Sequence, residues 1–125
     1  AYWNGPAEKW ERDALAKMMT PVAEWAERHG VPTKRVVAAE FGCDRDASGA
    51  REYIEDVVTA LNERGWHWAF YSFREDVWDR MDYEAGPGGL GAAYWEAVDR
   101  GETPERPRKD NPLWRVLQEG LKADR

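Results

Sequence analysis

A chain of 125 residues with 24 acidic and 18 basic side chains carries a formal net charge of −6. That length fits one domain able to bury a core, and the acidic balance, with no basic stripe, excludes a nucleic-acid backbone binder. No apolar run approaches the ~20 residues of a membrane-spanning helix, and a single cysteine, Cys43, allows neither an internal disulfide nor a zinc site of paired cysteines. Eight tryptophans are more than a small core ordinarily uses. Flat indole faces left over from packing suit sugar rings and other planar ligands.

Residues 1–9 read as loop, broken at Gly5 and Pro6. Over 10–30 the apolar positions Leu15, Met18, Val22, Trp25 and Ala26 keep helical spacing. Gly30 and Pro32 stop this helix, and Pro21 should kink or divide it. His29 closes the helix, where a cation suits the dipole. Residues 35–42, RVVAAEFG, predict a buried strand of a parallel sheet, continuous in apolar residues until Glu40. The CDRDASG loop follows, with Ser48 or Asp46 placed to cap a helix over 48–64. Ala50, Tyr53, Ile54, Val57, Val58 and Leu61 form its buried stripe, and Gly65 ends it.

Residues 66–73, WHWAFYSF, predict a second strand. Alternation puts Trp66, Trp68 and Phe70 on one face, against helices, and His67, Ala69 and Tyr71 on the other. His67 reads as a satisfied interior histidine. Residues 74–109 form a long connection with a short helix around 92–98, and a loop of that length in a compact domain is usually functional. Within it the charge run GETPERPRKD reads as a solvated loop. Asn111 caps a last amphipathic helix over 111–122, with Pro112 at its first position and Leu113, Leu117 and Leu121 along one face. Alternating helices and strands predict parallel α/β crossovers of right-handed sense. Two strands under three main helices leave sheet edges uncovered. The expected unit is therefore a single partial domain over 1–125, completed by another chain or by further sequence.

VVAAEFG, then a helix, then GWHWAFYSFREDVWDRMDYE, resembles the end of a glycoside hydrolase family 5 barrel. LAKMMTPVAEWAERHGVP resembles the helix leading into that barrel's seventh strand, so the likeness covers most of residues 10–84. It implies an α/β fold, the C-terminal portion of a (β/α)8 TIM barrel that is incomplete as one chain. The family's seventh strand ends in Glu-Phe-Gly, which makes Glu40 the implied catalytic nucleophile. Tyr71 falls on the strand-eight aromatic that floors the sugar subsite, usually Trp. Trp78 lies just beyond and would line the cleft, and Tyr2 would be a remnant of the sixth-strand loop.

The family's acid/base Glu, which follows an Asn at the end of the fourth strand, has no counterpart here. Retaining glycosidases need two carboxyls ~5–5.5 Å apart, so Glu75 or Asp76 would have to approach Glu40 for the chain to turn over alone. The resemblance thus implies a segment of a secreted, cellulase-like retaining enzyme acting on a polysaccharide or oligosaccharide. It implies no cofactor and no metal, and an isolated chain that is inactive. Its expected partners are the missing N-terminal barrel half or further copies in a homo-oligomer.

Blander readings stand beside these. Glu40 could serve only as an ion partner of Arg45 or Arg74, and Tyr71 and Trp78 could be packing. Trp25, Trp66 and Trp68 are explained by packing, whereas Trp78 and Trp95, in the long connection, call for a sugar or a partner surface. Cys43 reads as an inert thiol. Asp44, Asp46, Asp76 and Asp79 lack the fixed loop spacing of a dedicated calcium site. The whole chain could be a non-catalytic carbohydrate-binding module or an oligomeric assembly fragment.

Overall fold

The computed structural model describes residues 11–75, 78–86, 88–106 and 110–123. Its elements are α1 (Arg12–Arg28), β1 (Val37–Ala38), α2 (Ala50–Glu63), β2 (His67–Trp68), α3 (Ala92–Asp99) and α4 (Pro112–Ala123). Short 3-10 turns occupy Thr33–Arg35 and Asp79–Met81. β1 and β2 pair in parallel, Val37 with His67 and Ala38 with Trp68. The molecule is thus helix-rich with two parallel strands among the described residues.

Helix boundaries follow from local chemistry. Gly30 and Gly65 both take φ +63°, the left-handed turn that ends α1 and α2. Asn111 accepts the Leu113 N–H on Oδ1 at 2.9 Å, the cap expected for α4. Two local features differ from expectation. α1 is not divided at Pro21 and continues through it as one helix. Both Pro21 and Lys17, whose carbonyl loses its helical donor, lie on the exposed side where solvent can serve that carbonyl. α2 is capped by neither Ser48 nor Asp46. Gly49, at φ +80°, holds the N-cap position without a side-chain bond.

α1, α2 and α4 share one face of the sheet. α2 packs against α1 on one side and α4 on the other. The α1–α2 seam buries Leu15, Val57, Leu61 and Trp66, and the α2–α4 seam buries Ile54, Val58, Tyr83, Leu113 and Leu117. Gly120 permits the second seam, because a Cβ there would lie 2.2 Å from Val58 Cγ1. Each buried aliphatic side chain contributes roughly 1.5–3 kcal/mol. As alternation requires, Val36, Ala38, Trp66, Trp68 and Phe70 turn towards this layer, while Val37, His67 and Ala69 are exposed. His67 is therefore not an interior histidine, since its face of the sheet is uncovered among the described residues. Trp25 also departs from expectation. It is 51% exposed on α1 and leans on the His29 ring at 4.8 Å instead of packing inward.

The strands are much shorter than the predicted 35–42 and 66–73, but the chains stay joined beyond the ladder. Ala69 donates its N–H to the Ala38 carbonyl at 2.9 Å. That register would bring Tyr71 to Glu40. Instead the Tyr71 N–H reaches the Phe41 carbonyl at 2.8 Å, so the β1 side spends one extra residue and Glu40 lies in that bulged stretch. The regular ladder stops here, which is why both strands are shorter than their apolar runs.

Candidate functional site

Two loops leave the C-terminal ends of the strands, residues 39–49 and 69–91. The first carries Glu40, which is exposed and has no ion pair or hydrogen bond among the described residues. Neither arginine considered as its partner goes there. Arg74 pairs with Glu84 at 2.7 Å, and Arg45 turns into the second loop. Glu75 Oε1 accepts the Trp78 N–H at 3.2 Å. Asp76 and Tyr2 lie outside the described residues.

Tyr71 is half-buried, and the Tyr71–Ser72 peptide is cis. Its ring lies 6.5 Å from that of Trp78, inclined at 51°. Trp78 is 61% exposed, so its indole face is open to solvent. Phe73 is also exposed, and it tilts against Trp114 of α4 at 5.1 Å. The three residues singled out from the sequence therefore sit at one end of the sheet. Tyr71 and Trp78 are in mutual contact, and Glu40 stands one residue from the backbone link to Tyr71. Trp95, by contrast, lies half-buried on α3 against Tyr94, away from that aromatic pair's contacts.

The two loops are locked together below the surface by groups the sequence did not announce. Gly42 is the point of closest approach, since a Cβ there would meet the Tyr71 carbonyl at 2.1 Å and the Tyr83 hydroxyl at 3.0 Å. The fully buried Tyr83 uses its hydroxyl twice, accepting the Cys43 N–H at 2.7 Å and donating to the Cys43 carbonyl at 2.8 Å. Burial pushes the Cys43 thiol up to about 11, against the opposing pull of its contact with Tyr83. This suits an inert thiol rather than a nucleophile.

Arg45 is the second lock. Its side chain is 1% exposed, and it donates to the carbonyls of Asp79, Asp82 (3.2 Å) and Gly86 (3.1 Å). It also pairs with the Asp79 carboxylate at 3.4 Å. A buried guanidinium with several acceptors satisfies its own fork and fixes the path of residues 79–86. Asp82, equally buried, accepts the N–H groups of Glu84 and Ala85 and the guanidinium of Arg106. Asn111 donates to the carbonyls of Tyr83 at 3.1 Å and Ala85 at 3.0 Å. At the rim Asp44 pairs with Arg80 at 2.8 Å. Burial alone would raise its carboxyl, but the hydrogen bonds from Arg80 and the Asp46 backbone, with the nearby guanidinium charges, hold it below the usual range.

Residues 81–86 are thus wholly buried, inside what the sequence suggested was an open connection. The charge run at 101–110 is not simply solvated either, because Arg106 reaches inward to Asp82. One available signal was missed. Met81, Tyr83 and Ala85 alternate with Asp82 and Glu84, a period-two apolar pattern. Among the described residues no group of His, Cys, Asp and Glu is arranged to hold a metal ion. Asp44 and Asp79, two of the four acids considered for calcium, are instead committed to arginines. No helix of the described residues is long and apolar enough to cross a membrane. No protein-family model matches the chain, and neither a curated protein nor a solved structure matches it.

Proposed function

We propose that the chain is the C-terminal sector of a retaining β-glycanase, carrying the nucleophile and part of the sugar platform. In this reading Glu40 attacks the anomeric carbon, and the carbon–oxygen bond to the leaving group breaks as the glycosyl-enzyme ester forms. Tyr71 and Trp78 hold sugar rings by stacking. The observation that supports it is the convergence at one end of a parallel pair. An exposed carboxylate in a bulge, an adjacent half-buried Tyr71 and an open Trp78 face stand where α/β folds hold their working residues. The leaving oxygen needs a proton from a second carboxyl, and this reading assigns that group to a partner sector of the barrel. The isolated chain binds oligosaccharide and does not turn it over.

A second reading, a binding surface without catalysis, draws on the same exposed Trp78 and differs in giving Glu40 no role. Titration of the chain with cello-oligosaccharides, followed by tryptophan fluorescence, tests both. A saturable change that is lost in Trp78→Ala is the expected result, and its absence refutes both readings. They part at Glu40→Ala, which weakens binding only if the carboxylate faces the sugar. Hydrolysis of an aryl β-glycoside by the isolated chain, abolished in Glu40→Gln, would refute the assignment of the acid to another sector.

A further inference from the structure

We propose that the outer edge of β1, unpaired among the described residues, is with the apolar groove beneath α1 a seat for one additional β-strand, supplied as an extended peptide segment. The argument begins with the direction of the peptide groups. In the parallel ladder the Val36 and Ala38 carbonyls accept the N–H groups of His67 and Ala69. Alternation then turns the N–H and C=O of Val37 the other way, and they have no partner among the described residues. A bare strand edge of this kind is satisfied by another backbone.

The space next to it has a matching shape and character. A groove of about 330 Å³ runs between α1 and β1, lined by Met18, Val22, Val36, Val37, Ala38 and Phe41 among others. Met18, Val22 and Val37 are 59%, 46% and 56% exposed, an apolar surface with no cover among the described residues. The helix layer also outreaches the sheet. Three helices, α1, α2 and α4, lie over two strands, and the groove is the gap left below α1. A second copy of this chain would bring its own α1 to the same seam, where α1 already stands. The gap suits a strand that arrives without a helix. Its chemistry is set at both ends, with Lys34 and Arg35 before β1 and Glu40 after it. A parallel occupant therefore starts with an acidic residue, ends with a basic one and is apolar at alternate positions between them.

The glycanase reading shares Glu40 with this inference and would seat a strand of the partner sector on the same edge, but the two fail separately, because peptide binding needs no sugar and sugar binding through Trp78 needs no occupied edge. The probe is a fluorescently labelled acetyl-Glu-Val-Thr-Val-Thr-Val-Lys amide, titrated with the full 125-residue chain and followed by anisotropy. Saturable one-to-one binding is expected, weakened roughly tenfold when the central Val of the peptide is N-methylated and loses one donor. Val37→Pro removes the outward N–H while leaving the Ala38 ladder bonds, and Val22→Asp charges the exposed groove wall without touching the backbone. Each should weaken binding by at least a similar factor. No binding, equal binding of the N-methylated peptide, or full binding by a folded Val22→Asp chain overturns the proposal. So does a chain that self-associates through this edge, shown by dimers in sedimentation that Val22→Asp dissociates.

Discussion

Replacing Tyr83 by Phe isolates the link between the two loops that carry Glu40 and Trp78. The substitution keeps the ring, which stacks on Phe70 at 6.1 Å with planes inclined by 8°, and removes only the hydroxyl. It leaves the Cys43 N–H and C=O, which held that hydroxyl at 2.7 and 2.8 Å, without their partner. Both groups are partly buried, so each loses a hydrogen bond and regains water incompletely. At about 1–1.5 kcal/mol per group the cost is about 2–3 kcal/mol. A domain of this size then melts roughly 8–12 °C lower. Urea and thermal unfolding followed by circular dichroism measure it. Tyr94→Phe is the control. That hydroxyl has no hydrogen bond among the described residues, so its removal should cost less than about 0.5 kcal/mol. A Tyr83→Phe protein within 0.5 kcal/mol of the parent, or one no weaker than the control, would refute the view that this hydroxyl ties the loops together (threshold set by ordinary surface effects, ~0.5 kcal/mol).

Gly42→Ala should be worse, because its Cβ would lie 2.1 Å from the backbone oxygen of Tyr71, an atom that no rotamer change can move. A loss of about 3 kcal/mol or more is expected in denaturant unfolding, and a neutral result would mean the loops approach less closely. Asn111→Ala removes the α4 cap and strands the carbonyls of Tyr83 and Ala85 together, for about 2–3 kcal/mol by the same assay. The Cys43 thiol, pushed up to about 11, should react with iodoacetamide at pH 8 roughly two-hundredfold more slowly than an unfolded thiol of pKa ~8.5. The sign for stability follows from the raised pKa. Cys43's contribution is full below pH ~8.5 and is lost as pH rises towards the folded value of about 11. Alkylation at the unfolded rate would place the thiol in solvent instead.

The sequence by itself determined the local order. Periodicity located α1, α2 and α4, glycines marked two of their ends, and Asn111 with Pro112 marked the start of α4. These features are legible because they depend on residues within one or two turns of one another. The sequence also put Glu40 and Tyr71 at strand ends and Trp78 just beyond, in the long connection, since strand direction and chain order suffice for that. Tertiary structure decided which of them meet. Tyr71 contacts Trp78 because residues 79–86 fold back, and that path depends on Arg45, Asp82 and Arg106, whose long-range partners lie 24 to 41 residues away. Composition makes arginine and aspartate look like surface residues, and only a mutual pairing known in three dimensions makes their burial affordable. His67 and Trp25 fail for the complementary reason. Their alternation and spacing were read correctly, but which face of a sheet or helix is covered depends on what lies across from it.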